Sequence, residues 1–111
     1  MTTDKTGAGT AVSQQADRFT ISVDAQPAGF AQFADRDGRR VFFHTEVDDE
    51  FEGRGLATIV VGEAVAATKD AGLRVVPVCE LVAAYLKEHS ELSDIVDQPT
   101  PEIEEWVKTQ S

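Results

Sequence analysis

Phe19, Ile21 and Val23 alternate with Thr20, Ser22 and Asp24, the period-two pattern of a half-buried strand that begins at Arg18 and ends near Gln26-Pro27. Two further apolar runs, Phe30 to Ala34 and Arg40 to Val47, flank Arg36-Asp37-Gly38-Arg39. An Asp-Gly pair between such runs predicts a hairpin, because both residues accept positive φ. Three antiparallel strands are therefore expected before any helix. The period changes at Leu56: Leu56, Val60, Ala64, Ala67 and Ala71 recur at helical spacing, and Gly72 stands where a C-terminal helix cap belongs. Leu73 to Val78 predicts a short strand whose Pro77 cannot donate to a ladder, so it belongs at an edge or where two strands part. A further helix follows Cys79. Near the end, Thr100 is placed to cap a short helix with Pro101 at its first position and Glu104 near its start. Its apolar face, Ile103, Trp106 and Val107, either docks on the body or, with Trp106 exposed, makes a dimer contact. Residues 1 to 17, rich in Thr, Ala, Gly, Gln and Asp, read as a flexible tail before a single domain over 18 to 111.

At 111 residues the chain makes one domain, and folding buries roughly 65% of the unfolded surface, enough for one modest core. A net charge of −10 repels nucleic acid and anionic membrane, so neither is an expected partner. The same charge draws in a cationic substrate, or serves only solubility. One cysteine permits no internal disulfide. With no apolar segment of signal-peptide or membrane-spanning length, a cytoplasmic protein is expected, monomeric or weakly dimeric. One cysteine and two distant histidines give no metal-ligand spacing.

The densest information lies in Val47-Asp48-Asp49-Glu50-Phe51-Glu52-Gly53-Arg54-Gly55-Leu56-Ala57-Thr58, where two glycines open the long helix straight after a strand. Glycine lets backbone approach a ligand, and the unpaired N–H groups of a first helical turn, at the positive end of its dipole, suit an anion such as phosphate. A Walker loop needs Gly, four residues, then Gly-Lys-Ser/Thr, and none is present. A dinucleotide fingerprint needs Gly-x-Gly-x-x-Gly/Ala within a βαβ unit, whereas Thr58 fills the third position and antiparallel strands precede the loop.

The hexapeptide Glu52 to Ala57 is similar to the Gln/Arg-x-x-Gly-x-Gly/Ala pyrophosphate loop of the Gcn5-related N-acetyltransferases in all but its first residue. With His44-Thr45-Glu46-Val47 before it, and Val76-Pro77-Val78-Cys79 and a later His89 after it, the chain resembles the small single-domain branch of that family over about residues 18 to 92. Three departures stand out: Glu80 and Leu81 follow Cys79 where Pro and an aromatic are expected, and Ser90 rather than Pro follows His89.

The resemblance implies an α/β minimal acyl-CoA N-acyltransferase fold, with a mixed, mostly antiparallel sheet and a central helix after the pyrophosphate loop. It implies a sheet that opens between the strand before the loop and the strand after the helix, with the pantetheine arm of acetyl-CoA in the gap. Gly53, Arg54, Gly55, Leu56, Ala57 and Thr58 would hold the pyrophosphate, and the main chain of Val47 would contact the pantetheine. The activity implied is acetyl transfer from acetyl-CoA to an amine, either a small molecule or a protein lysine or N-terminus. The alternative is a non-catalytic CoA-binding or protein-interaction module.

Candidate chemistry falls on four side chains. His44 and Glu46 lie two apart on one strand, so both emerge on one face and can take a proton from an ammonium. Thr45 and Val47 point the other way. Cys79 ends the last strand, where the resemblance makes it a candidate to take the acetyl group or position the amine. The same resemblance makes Tyr85 the candidate to protonate the departing thiolate, with His89 one turn beyond. Only Asp24 to Ala28 links the first two strands, which leaves the site open.

Overall fold

Two tight turns set the register of the sheet. Asp24 and Ala25 hold φ at 47° and 70°, and Asp37 and Gly38 at 53° and 74°, the paired left-handed conformation of a two-residue hairpin turn whose twist matches that of the strands. The computed structural model describes residues 2, 3, 7 and 9 to 110. Its strands are β1 (Thr2–Thr3), β2 (Gly9–Gln14), β3 (Arg18–Val23), β4 (Gln26–Arg36), β5 (Arg39–Val47) and β6 (Arg74–Pro77), in that order across one sheet. The first five are antiparallel neighbours. β6 pairs parallel to β5 after the crossover helix α1 (Leu56–Asp70). Then come α2 (Glu80–Glu88), a 3-10 segment Ser90–Ile95 and α3 (Pro101–Val107). This is the mixed, mostly antiparallel α/β architecture expected, with its central helix in place. Among the described residues no helix is long and apolar enough to cross a membrane.

Three sequence expectations need correction. Gly9–Gln14, placed in a flexible tail, is a strand that pairs with β3 from Thr10↔Val23 to Gln14↔Phe19, buries Thr10 and packs Val12 on the core. Its local sequence is poorly apolar, so the ordering comes from the ladder along the free edge of β3, a non-local effect. Met1, residues 4 to 6 and Ala8 of that expected tail lie outside the described residues. β4 also starts at Gln26 rather than Phe30. It takes in Pro27 beside a bulge where the β3–β4 register shifts, and a bulge tolerates the missing donor. Lastly, the buried stripe of α1 is Leu56, Val60, Val61, Ala64, Val65 and Thr68, while Ala71 caps the helix exposed. At roughly 100° per residue Ala71 keeps to the side of Val60 and Ala64, so its exposure comes from its place as the C-cap, past the last helical residue, and not from its spacing.

Two apolar clusters flank the sheet. The larger, containing Phe19, Ile21, Phe33, Phe42, Leu56, Val60, Val65 and Val82, lies between the sheet and α1 with α2. The smaller joins Val41, Val76 and Val107 to Phe43, Val78, Ile103 and Trp106, so α3 covers the opposite face only at the β5–β6 end. Thr100 caps α3 by accepting from Ile103 N at 3.2 Å, as its position predicts. Trp106 is half-buried there, with the Arg36 guanidinium 5.2 Å from its ring centroid, which favours docking over a dimer contact.

A bulge between β4 and β5, at Gln32/Phe33, leaves Phe43 unpaired and switches the alternation of β5. Before it, Phe42 faces α1. After it, Val47 does, while Val41 and Phe43 face α3. Period two alone would put Phe43 on the same side as Val47.

β5 and β6 are closed at one end and open at the other. At the closed end Asp97 accepts from Arg39 Nε and Arg74 Nε, each at 2.8 Å, and its main-chain N–H donates to Val75 O at 2.9 Å. The Arg39 hydrogen bond, followed by the Arg74 contact, holds the Asp97 carboxyl below its ordinary range, and the same bond raises Arg39. Pairing runs to Phe42↔Pro77, where proline ends the ladder. Cys79 N–H still donates to Phe42 O at 2.9 Å. Beyond that point β5 continues to Val47 while the chain after β6 turns into α2, so the strands part where Pro77 predicts.

Candidate active site

The loop after β5 is built for a close approach of backbone. Gly29 faces Val47 across the β4–β5 ladder, and a side chain there would meet Glu46 O at 2.5 Å, so only glycine lets these strands converge. Asp48 N–H donates to Ala28 O at 2.7 Å and fixes the exit of the strand. The 3-10 turn Asp49–Phe51 then drives Phe51 into the core, and Arg54 lies over its ring at 5.2 Å from the centroid. Gly53 and Gly55 hold φ at 80° and 78°, a conformation costly for any residue with a Cβ.

Gly55 is the N-cap of α1, no side chain caps the first turn, and that turn holds no acidic residue. In a chain of net charge −10, a helix start free of carboxylates keeps the positive end of its dipole and its N–H groups for an external anion. Asp48, Asp49, Glu50 and Glu52 are all exposed, and of the four only Glu52 lines the cleft beside this turn. A cleft of about 430 Å³ lies against this turn, lined by Val47, Phe51, Glu52, Gly53, Gly55, Leu56, Ala57 and Leu81. Leu81, exposed at 45%, is the one large apolar side chain so uncovered among the described residues. It stands in α2 where the resemblance leads one to expect an aromatic and offers an apolar wall. These residues fit a diphosphate attached to an apolar arm: N–H donors at one end, uncovered aliphatic surface beside them.

The four candidate catalytic residues lie in three places. Cys79, half-buried at the N-cap of α2, donates its thiol to Thr45 Oγ1 at 3.3 Å, a contact that spans the opening between β5 and the chain after β6. Sequence spacing assigns Thr45 no chemistry, and its parity with Val47 is the one local signal that places it on this face. His44 and Glu46 emerge on the opposite face of the sheet, with Nε2 and Oε1 3.4 Å apart. A second cleft, about 370 Å³, is lined by His44 with Gln32, Phe43, Val78, Val107 and Lys108. It touches both β5 and the segment after β6, so it reaches the opening from the α3 side.

Tyr85 stands apart from both groups. Its hydroxyl packs toward Gly62, in the second turn of α1, where an added Cβ would lie 3.0 Å from it. Its ring stacks on His89 with centroids 4.1 Å apart. His89 Nδ1 is 3.0 Å from a carboxylate oxygen of Glu91. A main-chain hydrogen bond, then this imidazole, hold the Glu91 carboxyl below its ordinary range. Tyr85 and His89 thus wall the groove between α1 and α2, shared with Ala57, Thr58 and Leu81.

Residues 18–95 match the model of the family described as GCN5-related N-acetyl-transferase. Among solved structures, the NMR solution structure of a GCN5-like protein from Staphylococcus aureus aligns with a TM-score of 0.62 at 18% identity, over 82% of this chain and 91% of that one, a likeness of fold. No curated protein matches.

Proposed function

The chain belongs to the GCN5-related N-acetyltransferase family, and from that premise we propose that it transfers the acetyl group of acetyl-CoA to an amine, in the cytoplasm. The observation that carries this reading is the uncapped, acid-free first turn of α1 behind two left-handed glycines, facing a cleft beside the parting of β5 and β6. The N–H groups from Gly53 to Thr58 would hold the pyrophosphate, each charge-assisted bond worth about 1.5–3 kcal/mol. Val47 and Leu81 would border the apolar arm. When bound, acetyl-CoA supplies an acyl carbon activated as a thioester.

The protein's own residues divide the remaining work by face. On the α1 side, Thr45 and Cys79 hold each other across the opening, and the thiol is positioned there either to take the acetyl group or to orient the acceptor. On the α3 side, His44 borders the second cleft with Glu46 beside it, and the pair can take a proton from an ammonium entering there. Clefts that border β5 from opposite faces of the sheet suit direct attack by an amine arriving from the side away from the pyrophosphate loop. With a two-residue turn between β3 and β4, no element among the described residues is inserted there to cover the acceptor side.

Thiol release decides between an enzyme and a binding module. An acetyltransferase releases free CoA faster when a suitable amine is added to protein and acetyl-CoA. Thermal stabilisation by CoA across a broad amine and peptide panel, with no amine-dependent release, would instead assign the chain to the non-catalytic class.

A further inference from the structure

The acceptor side carries opposite charges on either side of one phenyl ring. Strand pairing sets Arg18, Gln32 and His44 in one row across β3, β4 and β5, and Thr20, Phe30 and Glu46 in the next. The Arg18 guanidinium lies 4.6 Å from the Phe30 centroid, and the His44 ring centroid is 5.7 Å from it on the β5 side. Arg18 also bonds Asp17, at 3.3 Å through both Nε and an amino group. That is long for a charge-assisted pair, which normally closes to about 2.7–2.9 Å. Asp17 is 58% exposed, so the guanidinium can exchange this partner for another carboxylate at little cost. A ligand with a second positive charge, laid across Phe30 from the His44–Glu46 pair, would meet Arg18 and be repelled.

Resting on the transferase reading, we infer that the acceptor is an amine that also carries a carboxylate, the two joined by an aliphatic chain. The ammonium sits at His44 and Glu46, the carboxylate pairs with Arg18, and the chain passes over Gln32 beside Phe30. One ammonium proton goes to the His44–Glu46 pair. The freed nitrogen bonds to the acetyl carbon as the carbon–sulfur bond breaks, and a second proton leaves nitrogen for the departing thiolate, giving amide and CoA thiol.

The test compares 6-aminohexanoate, hexylamine and 1,6-diaminohexane with acetyl-CoA and the full chain, read as free-thiol release. Expected is a kcat/KM for 6-aminohexanoate about tenfold above that for hexylamine, the low end of one charge-assisted bond. Arg18→Gln brings that ratio near one, and Arg18→Lys restores part of it. A diamine that matches or exceeds 6-aminohexanoate overturns the inference, as does a ratio that Arg18→Gln leaves intact. Binding is read separately by NMR titration of 6-aminohexanoate into CoA-loaded protein, following the His44 imidazole and the Gln32 side-chain amide. Saturable shifts lost in Arg18→Gln support the acceptor assignment even if no amine releases thiol, in which case only the transferase reading falls. An absence of saturable shifts overturns the assignment itself.

Discussion

Gly55 holds φ at 78° where β5 hands over to α1, and its place as N-cap leaves the first-turn N–H groups pointing outward. Valine there pays the left-handed strain, on the order of 1–3 kcal/mol, or refolds the loop. Gly55→Val is expected to stay folded and lose calorimetrically measurable acetyl-CoA binding; full affinity in the folded variant would move the anion site elsewhere. In the proposed reaction Cys79 would act through its side chain, whereas the pyrophosphate contacts would be main-chain. Cys79→Ala should therefore keep acetyl-CoA affinity while transfer falls by about 10²-fold, the low end for a removed catalytic group. Mass spectrometry adds a finer readout: an acetyl adduct on the wild type, removed by hydroxylamine and absent from Cys79→Ala, marks covalent transfer through sulfur. Full activity in Cys79→Ala would reduce Cys79 to packing and leave proton transfer to His44 and Glu46. These residue types are readable from sequence; Thr45 and Gly29 are not, because each matters only through a partner from a distant strand.

At the scale of elements, turns were legible and bulges were not. Asp37-Gly38 announces its hairpin, but the β3–β4 turn puts Ala25, with a Cβ, at φ 70°. Relieving that strain with Ala25→Gly should stabilise the domain by about 1 kcal/mol, offset in part by the greater freedom of glycine in the unfolded chain. A chemical-denaturation midpoint that fails to rise would mean that the turn relaxes by another route. The β4–β5 bulge is the more consequential element. By switching the parity of β5 it keeps Phe43 with His44 on the α3 side and leaves Thr45 and Val47 on the α1 side. Nothing local in Phe42-Phe43-His44 specifies it; it follows from matching β5 to β4 and to both apolar clusters at once.

For the molecule as a whole, the β5–β6 pair is clamped at one end and open at the other. Asp97, from the segment before α3, ties the starts of β5 and β6 together through Arg39 and Arg74, while their far ends diverge around the candidate site. The Asp97 pKa is depressed in the folded state, so its stabilisation is full above the ordinary value of 3.8 and is lost as pH falls through the lower folded value. Asp97→Asn should cost roughly 1 kcal/mol at neutral pH, since both guanidinium partners are partly exposed. The difference between wild type and variant should close below about pH 4, as Asp97 protonates. Thermal unfolding of both proteins across that range checks it, and a gap that persists at low pH would show that Asp97 acts by packing rather than charge.

Local chemistry explains what the sequence alone determined: the β3 alternation, the Asp-Gly hairpin, the glycine pair before an amphipathic helix, the proline where strands part, and the cap of α3 are each settled within a few residues. The strand Gly9–Gln14, the β4–β5 bulge and the Asp97 clamp were decided by tertiary structure, because each depends on hydrogen bonds or ion pairs between segments far apart in the chain. So too was the partition of His44 and Glu46 from Cys79 onto opposite faces around one gap. Residue spacing shows which side chains share a strand face, but only the sheet's opening decides which clefts those faces border.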